Sequence, residues 1–250
     1  MTSLGITVTD RDGVRHVVLD RPDKKNALTR AMYEVLADAV STAADADVGA
    51  LLISAHGPTF CAGNDLRDFL ERPPANGDAP AIRFLLGLAT TDVPLVVAVR
   101  GAAVGIGTTM LLHADLVYAA PSASFRLPFV DLAIVPEAGS TVLLPRLLGN
   151  ARTGAALFLA EPIDAQQAER AGLITKIVAD DELDAVTEAA ARAVAAKPRG
   201  AVRATKRHLH HDRAAITEAI AREGAVFEER VQSAEARAVM AAFFQRGTRG

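Results

Sequence analysis

Residues 93–112 read Val-Pro-Leu-Val-Val-Ala-Val-Arg-Gly-Ala-Ala-Val-Gly-Ile-Gly-Thr-Thr-Met-Leu-Leu, with Arg100 as the only charge. Such a run approaches the length of a membrane-spanning helix. Pro94, Gly101, Gly105 and Gly107 interrupt it, and an arginine at its centre opposes insertion by at least about 2.5 kcal/mol. The stretch therefore divides into a buried strand, Leu95–Val99, a glycine-rich turn, and a buried helix starting near Ile106.

The same strand-and-helix pattern continues outward in both directions. Gly49–Ser54 is a second short apolar run of strand length, and helical periodicity covers about Ala79 to Ala89. Upstream, Thr29 can cap a helix running to about Asp45, with Met32, Val35, Leu36, Ala39 and Val40 on one face. Two strands, Ile6–Thr9 and Val14–Leu19, meet across Asp12-Gly13, a hairpin dipeptide. Leu116–Tyr118 adds a strand downstream. Strands alternating with helices predict an α/β chain whose sheet is covered on both faces.

From about Ala138 helices dominate, and the strand signal shrinks to Leu173–Val178. In the tail Ile216, Ile220, Phe227 and Val231 share one helical face, although Gly224 weakens an unbroken helix. With Met240, Phe243 and Phe244 this tail carries more apolar surface than a lone helix exposes, so it docks on the body or on another subunit. The division expected is a core over residues 1–195 and a helical region over 196–250. Pro73-Pro74-Ala75-Asn76-Gly77 reads as a surface loop.

Composition narrows the function. Half of the 250 residues are hydrophobic, 23% are charged, and the net charge is −3, which excludes a disordered chain. A pI near 6.1 supplies no positive field for nucleic acid or an acidic membrane, so an anionic ligand needs a local site. One Cys forms no internal disulfide, and the N-terminus shows no basic region ahead of an apolar stretch; both fit a cytoplasmic location.

Three stretches could carry chemistry. Phe60-Cys-Ala-Gly-Asn-Asp-Leu66 follows a strand and precedes a helical turn, which leaves the N–H groups near Gly63-Asn64 without helix partners. Gly101-Ala-Ala-Val-Gly-Ile-Gly-Thr-Thr109 offers a second set, and two such N–H groups on one oxygen make an oxyanion hole. The glycines equally suit tight turns and close packing. In Val135-Pro-Glu-Ala-Gly-Ser140, Pro136 suits a first helical turn, and Glu137 is either an acid at the helix N-terminus or a desolvated general base. Cys61 reads as a small buried thiol; His208, His210 and His211 lack metal-ligand spacing and read as surface residues; Lys24 and Lys25 are solvated charges unless an anion passes. No nucleotide phosphate loop occurs.

Together these motifs resemble the crotonase superfamily, the enoyl-CoA hydratase/isomerase family. Arg21-Pro-Asp-Lys-Lys-Asn-Ala-Leu28, Phe60–Leu66 and Val99–Asp115 carry the likeness, in order, over nearly the whole chain. The resemblance implies a spiral of ββα units, a C-terminal helical trimerisation region with homotrimers or dimers of trimers, and an acyl-CoA thioester as substrate, with no separate cofactor, metal, nucleic acid or membrane. It places the oxyanion hole at the N–H groups of Asn64 and Ile106, Lys24 or Lys25 near the CoA phosphates, Ala62 and Asp65 near the adenine end, Gly105 beside the ligand, and a tail residue such as Arg246 near a neighbouring subunit's ligand. The two glutamates of family hydratases fall on Thr109 and Phe129 here, whereas Glu137 matches the Pro-Glu-x-x-Ser pattern of Δ3,Δ2-enoyl-CoA isomerases. That pattern implies an isomerase with one carboxylate. The alternatives are a hydratase-like enzyme recruiting Asp131, Asp65 or Asp68, and a non-catalytic acyl-CoA-binding protein. Met32, Tyr33, Phe69, Phe84 and Phe129 are read as core or acyl pocket.

Overall fold

A computed structural model describes residues 4–71 and 79–247, with side chains as far as residue 242. The loop expected at residues 73–77 and the side chains of Phe243, Phe244 and Arg246 lie outside the described residues. The opening hairpin joins β1 (Ile6–Arg11) to β2 (Val14–Leu19) across Asp12 and Gly13, both at positive φ. Thr29 caps α1 (Arg30–Ser41) by accepting from the Met32 N–H, and the helix ends about a turn before the Asp45 expected for it.

β3 (Ala50–Ala55) pairs parallel with β2. After it come α2 (Leu66–Glu71), α3 (Pro80–Thr90), and β4 (Leu95–Val99), parallel to β3. The run from Val93 to Leu112 then breaks as its glycines predict, into β4, β5 (Ala102–Val104), the one-turn α4 (Ile106–Thr109), and a 3-10 turn at Met110–His113. The buried helix expected near Ile106 is thus a single turn. No helix among the described residues is long and apolar enough to cross a membrane.

β6 (Leu116–Ala119) returns to the main sheet and β7 (Ser124–Arg126) pairs parallel with β5. Next are α5 (Ser140–Leu148), α6 (Asn150–Phe158), β8 (Ile163–Asp164), α7 (Ala165–Ala171), β9 (Lys176–Ile177) and α8 (Leu183–Ala195). The main sheet runs β1-β2-β3-β4-β6-β9, and a small sheet runs β5-β7-β8. A bridge from Cys61 to Ala103 joins the chain after β3 to that small sheet. Successive units therefore give one strand to each sheet, which is the ββα spiral.

Both faces of the main sheet are covered. Leu51, Ile53, Leu95 and Val97 share a core with α1 and α3, while their neighbours Leu52 and Val96 pack with Ala191 of α8. Strands buried on two faces have no polar alternation, which is why they read as continuous apolar runs. Each fully buried Leu or Phe stabilises by about 1.5–3 kcal/mol.

The tail forms α9 (Arg199–Leu209), α10 (Arg213–Val231) and α11 (Ala234–Gly247). It folds back on the body: Ile216 and Ile220 join the main core, and Phe227, Val231 and Met240 pack with Leu127, Phe129 and Leu144. Gly224 does not break α10; a Cβ there would meet Ile82 Cδ1 of α3 at 3.3 Å, so the glycine serves the close crossing of the two helices.

Candidate active site

Two loops converge beside the small sheet. The Cys61 N–H donates to Ala102 O and the Val104 N–H donates to Cys61 O, at 3.1 and 2.8 Å. This parallel register pairs Cys61 with Ala103, and three residues further on each strand stand Asn64 and Ile106. Neither amide N–H of these two has a hydrogen-bond partner among the described residues. The approach depends on glycine, since a Cβ on Gly107 would come 2.7 Å from Cys61 O. Ile106 itself is buried in the main core, so its bulk points away while its N–H starts the one-turn helix.

Glu137 is buried, at 7% relative exposure, but it is not in a helix. The expected position in the first turn is corrected: α5 begins at Ser140, after Ala138 and Gly139, both left-handed with φ 65 and 70°. His113 Nε2 lies 2.8 Å from Ala138 O, and burial pulls the His113 imidazole down to about 4, so a neutral ring donates this bond. On the other side Glu223 of α10 accepts from the Gly139 N–H at 2.7 Å and from the Thr141 N–H at 3.0 Å. Burial pushes the Glu137 carboxyl up to about 8; the Glu223 carboxylate adds to the rise, and the Thr109 hydroxyl, 3.5 Å from Oε1, opposes it. A group in that range exchanges protons near neutral pH.

Glu137 and Asn64 line one cavity of about 280 Å³, whose other walls are mainly apolar: Phe69, Leu85, Leu86, Ile220 and Phe227, with Gly224 at the helix crossing. The Tyr33 hydroxyl donates to Asn64 Oδ1 at 2.5 Å, and burial holds its phenol well above its ordinary range. An apolar pocket lined by Asn64 and by a buried, proton-binding carboxylate is the kind of site in which an N–H donor can stabilise negative charge on an oxygen while a proton moves on carbon.

Residues 25–28 run beside 62–65: the Ala62 N–H donates to Lys25 O, the Leu28 N–H to Gly63 O, and the Asp65 N–H to Leu28 O. These bonds set Lys25 beside Ala62 and Leu28 beside Asp65, and Lys24 and Lys25 are both exposed. Burial raises the Asp65 carboxyl, but Arg21 at 2.7 Å together with the N–H groups of Asp68 and Arg67 outweighs it and holds the carboxyl below the usual range. Gly105 takes φ 54° and donates to Arg126 O. Neither Asp65, Asp68 nor the exposed Asp131 lines the cavity; Asp68 accepts from the Arg30 N–H.

Of the two glutamate positions, Thr109 touches Glu137 and Phe129 is core. Phe69 lines the cavity, whereas Met32 and Phe84 are fully buried core residues. The Cys61 thiol is pushed up to about 12 by burial and stays neutral. His208 and His211 are exposed, but His210 is half-buried with Nε2 3.3 Å from Asp115, which corrects its reading as a surface residue. No group of His, Cys, Asp or Glu among the described residues could hold a metal ion. The sequence reading missed Glu223 and His113 as parts of the site and saw Tyr33 only as apolar bulk. Their partners lie tens of residues away, so no local spacing announces them.

A family model described as enoyl-CoA hydratase/isomerase matches residues 9–249. The chain is 35% identical over 196 residues to the 1,2-epoxyphenylacetyl-CoA isomerase of Escherichia coli, covering 74% of each chain. It is 36% identical over 206 residues to a probable enoyl-CoA hydratase of Rhodobacter capsulatus, covering 80% of this chain and 78% of that one. The crystal structure of an enoyl-CoA hydratase/isomerase from Pseudoalteromonas atlantica superposes with a TM-score of 0.91 at 39% identity, covering 97% of both chains.

Proposed function

Because the chain belongs to the enoyl-CoA hydratase/isomerase family, the crotonase superfamily, we propose that it moves the double bond of a 3-enoyl-CoA to the 2-position with Glu137 as its single acid/base. The observation that carries this reading is the buried Glu137 on the wall of an apolar cavity, with no second carboxylate at the positions of Thr109 and Phe129.

In this reading the acyl group enters the cavity and its thioester oxygen meets the N–H groups of Asn64 and Ile106. The ionised Glu137 takes the proton from C2. The electron pair of the C2–H bond forms a C1=C2 bond as the carbonyl pair moves onto the thioester oxygen, giving a dienolate that the two N–H donors hold. Glu137 then returns the proton to C4: the C3=C4 pair supplies the new C4–H bond, the C1=C2 pair shifts to form C2=C3, and the oxygen pair restores the thioester carbonyl. One carboxylate completes the cycle with no net gain or loss of protons. A positioned base contributes about 10²–10⁴ in rate, and one oxyanion donor about 2.7–4 kcal/mol. Lys24 and Lys25, with Ala62 and Asp65, form the rim over which the CoA portion lies, and Gly105 backs the thioester.

Glu137→Gln tests this reading, since it keeps the shape and removes the titratable group. Isomerisation of 3-enoyl-CoA is expected to fall at least about 10²-fold. Activity surviving within a few-fold, or hydration of a 2-enoyl-CoA that persists at full rate in the variant, would overturn it.

A further inference from the structure

Glu223 is a buried carboxylate that the reaction above does not use. It stands on α10, more than eighty residues beyond Glu137 in sequence, and its hydrogen bonds among the described residues all go to the turn that follows Glu137. One oxygen accepts from the Gly139 N–H at 2.7 Å; the other accepts from the Thr141 N–H at 3.0 Å and the Thr141 hydroxyl at 2.5 Å. Two of these donors flank the start of α5, where unpaired N–H groups favour an anion. Ala138 and Gly139 are both left-handed, a costly pair for a chain containing one non-glycine residue, so the turn needs an external clamp.

We propose that Glu223 is the positioning residue of the site: it fixes the turn that carries Glu137 and sets a second negative charge against it. This rests on the reading of Glu137 as the acid/base. The rise of Glu137 to about 8 has burial as its first cause and Glu223 as its second, which accords with the geometry. The other groups facing Glu137 do not supply that charge. Tyr33 and Cys61 are both held neutral by burial, and His113, bonded to Ala138 O, is a neutral ring. Burial raises the Glu223 carboxyl, while its bonds from Thr141 and Gly139, and after them the charge of Arg222, favour its ionised form. Glu228 shares the cavity wall. A general base whose neighbour opposes its ionisation holds a proton more firmly, and so returns it less readily but removes one more strongly once ionised.

The experiment follows Glu137 by two independent readouts in the full chain. The first is the pH profile of kcat/KM on a 3-enoyl-CoA, which reports the free enzyme. The second is the ¹³C signal of the Glu137 carboxyl, identified by its loss in Glu137→Gln, and it needs no substrate. Glu223→Gln is nearly isosteric and removes the charge; the midpoint of Glu137 is expected to fall by about one pH unit or more in both readouts. Glu223→Asp keeps the charge but is too short to span Gly139 and Thr141, so kcat falls several-fold while KM and the midpoint stay near those of the wild type. A Glu137 carbon signal with the same midpoint in wild type and Glu223→Gln overturns the proposal, as does an equal shift in the Gln and Asp variants. If Glu223→Gln does not fold, an unchanged kcat in Glu223→Asp overturns it instead. A shifted carbon signal together with full activity of Glu137→Gln would sink the isomerase reading and leave the coupling standing.

Discussion

The hydroxyl of Tyr33 donates to Asn64 Oδ1 at 2.5 Å, so α1 fixes the side chain of a residue that lines the cavity. Tyr33 is in turn held by the core, its ring 6.0 Å from that of Phe84. The bond therefore carries the rigidity of the α1–α3 packing to the loop after β3. Tyr33→Phe leaves the packing in place and the amide oxygen without its donor, which costs about 1 kcal/mol of stability. The expected kinetic result is a fall in kcat of about tenfold, or ~1.4 kcal/mol of barrier, with KM within twofold. Steady-state assays beside thermal denaturation check it, and an unchanged kcat would detach Tyr33 from the site.

Gly107 holds the loop that carries Ile106 against Cys61, three residues before Asn64. A methyl group there meets Cys61 O at 2.7 Å and Cys61 Cβ at 2.9 Å, and one of those contacts is backbone that no rotamer change relieves. Gly107→Ala is expected to force Asn64 and Ile106 apart and lower kcat by at least about 10²-fold, close to the loss of one oxyanion donor. Overpacking adds a destabilisation of about 1–3 kcal/mol, measurable by urea unfolding.

The buried carboxyl of Glu137 makes stability depend on pH with a definite sign. Its ordinary value of 4.5 in the unfolded chain rises to about 8 in the fold, so the folded state binds the proton more tightly. Its stabilising contribution is fully present below about pH 4.5 and is lost as pH rises through about 8. Glu137→Gln keeps a neutral group there at every pH. Its unfolding free energy should match the wild type near pH 4.5 and exceed it increasingly toward pH 9, by an amount on the order of 5 kcal/mol, with a melting temperature that rises in step. His113 runs the opposite way: with its imidazole at about 4 instead of 6.5, its contribution is present above pH 6.5 and lost as pH falls through 4.

Gly224 lines the cavity that holds Glu137, where α10 crosses α3. The contact an added Cβ would make, 3.3 Å to Ile82 Cδ1, is with the flexible end of a side chain. Gly224→Ala is therefore expected to gain up to about 1 kcal/mol from helix propensity and to leave short substrates unaffected. Gly224→Leu fills the cavity, and kcat/KM for long acyl chains should drop about tenfold or more relative to short ones. A chain-length series of 3-enoyl-CoA substrates with each variant gives the comparison.

Much of the fold was legible from Ile6 to Val99, because strands buried on both faces and helices with one apolar face write their environment into local order. The hairpin at Asp12-Gly13, the cap at Thr29 and the core of β4 all follow from neighbouring residues. What local order does not contain are β5 and β7, three residues each, and β8, two residues long. Such strands exist only because another strand lies beside them. Gly224 misled for a related reason: its cost to α10 is local, but the room it makes for α3 is not.

The sequence by itself determined the alternating α/β order, the glycine turns near Asn64 and Ile106, and a carboxylate at position 137 among apolar neighbours, since each is a property of adjacent residues. Only the tertiary structure decided what that carboxylate is. Glu137 could have been an ionised acid at a helix N-terminus, with its pKa lowered. The clamp from Glu223, 84 residues beyond Gly139, and the bond from His113 to Ala138, 25 residues before it, instead hold it buried ahead of α5. Desolvation and charge act through space, so the proton affinity of one residue depends on which distant segments the fold brings against it.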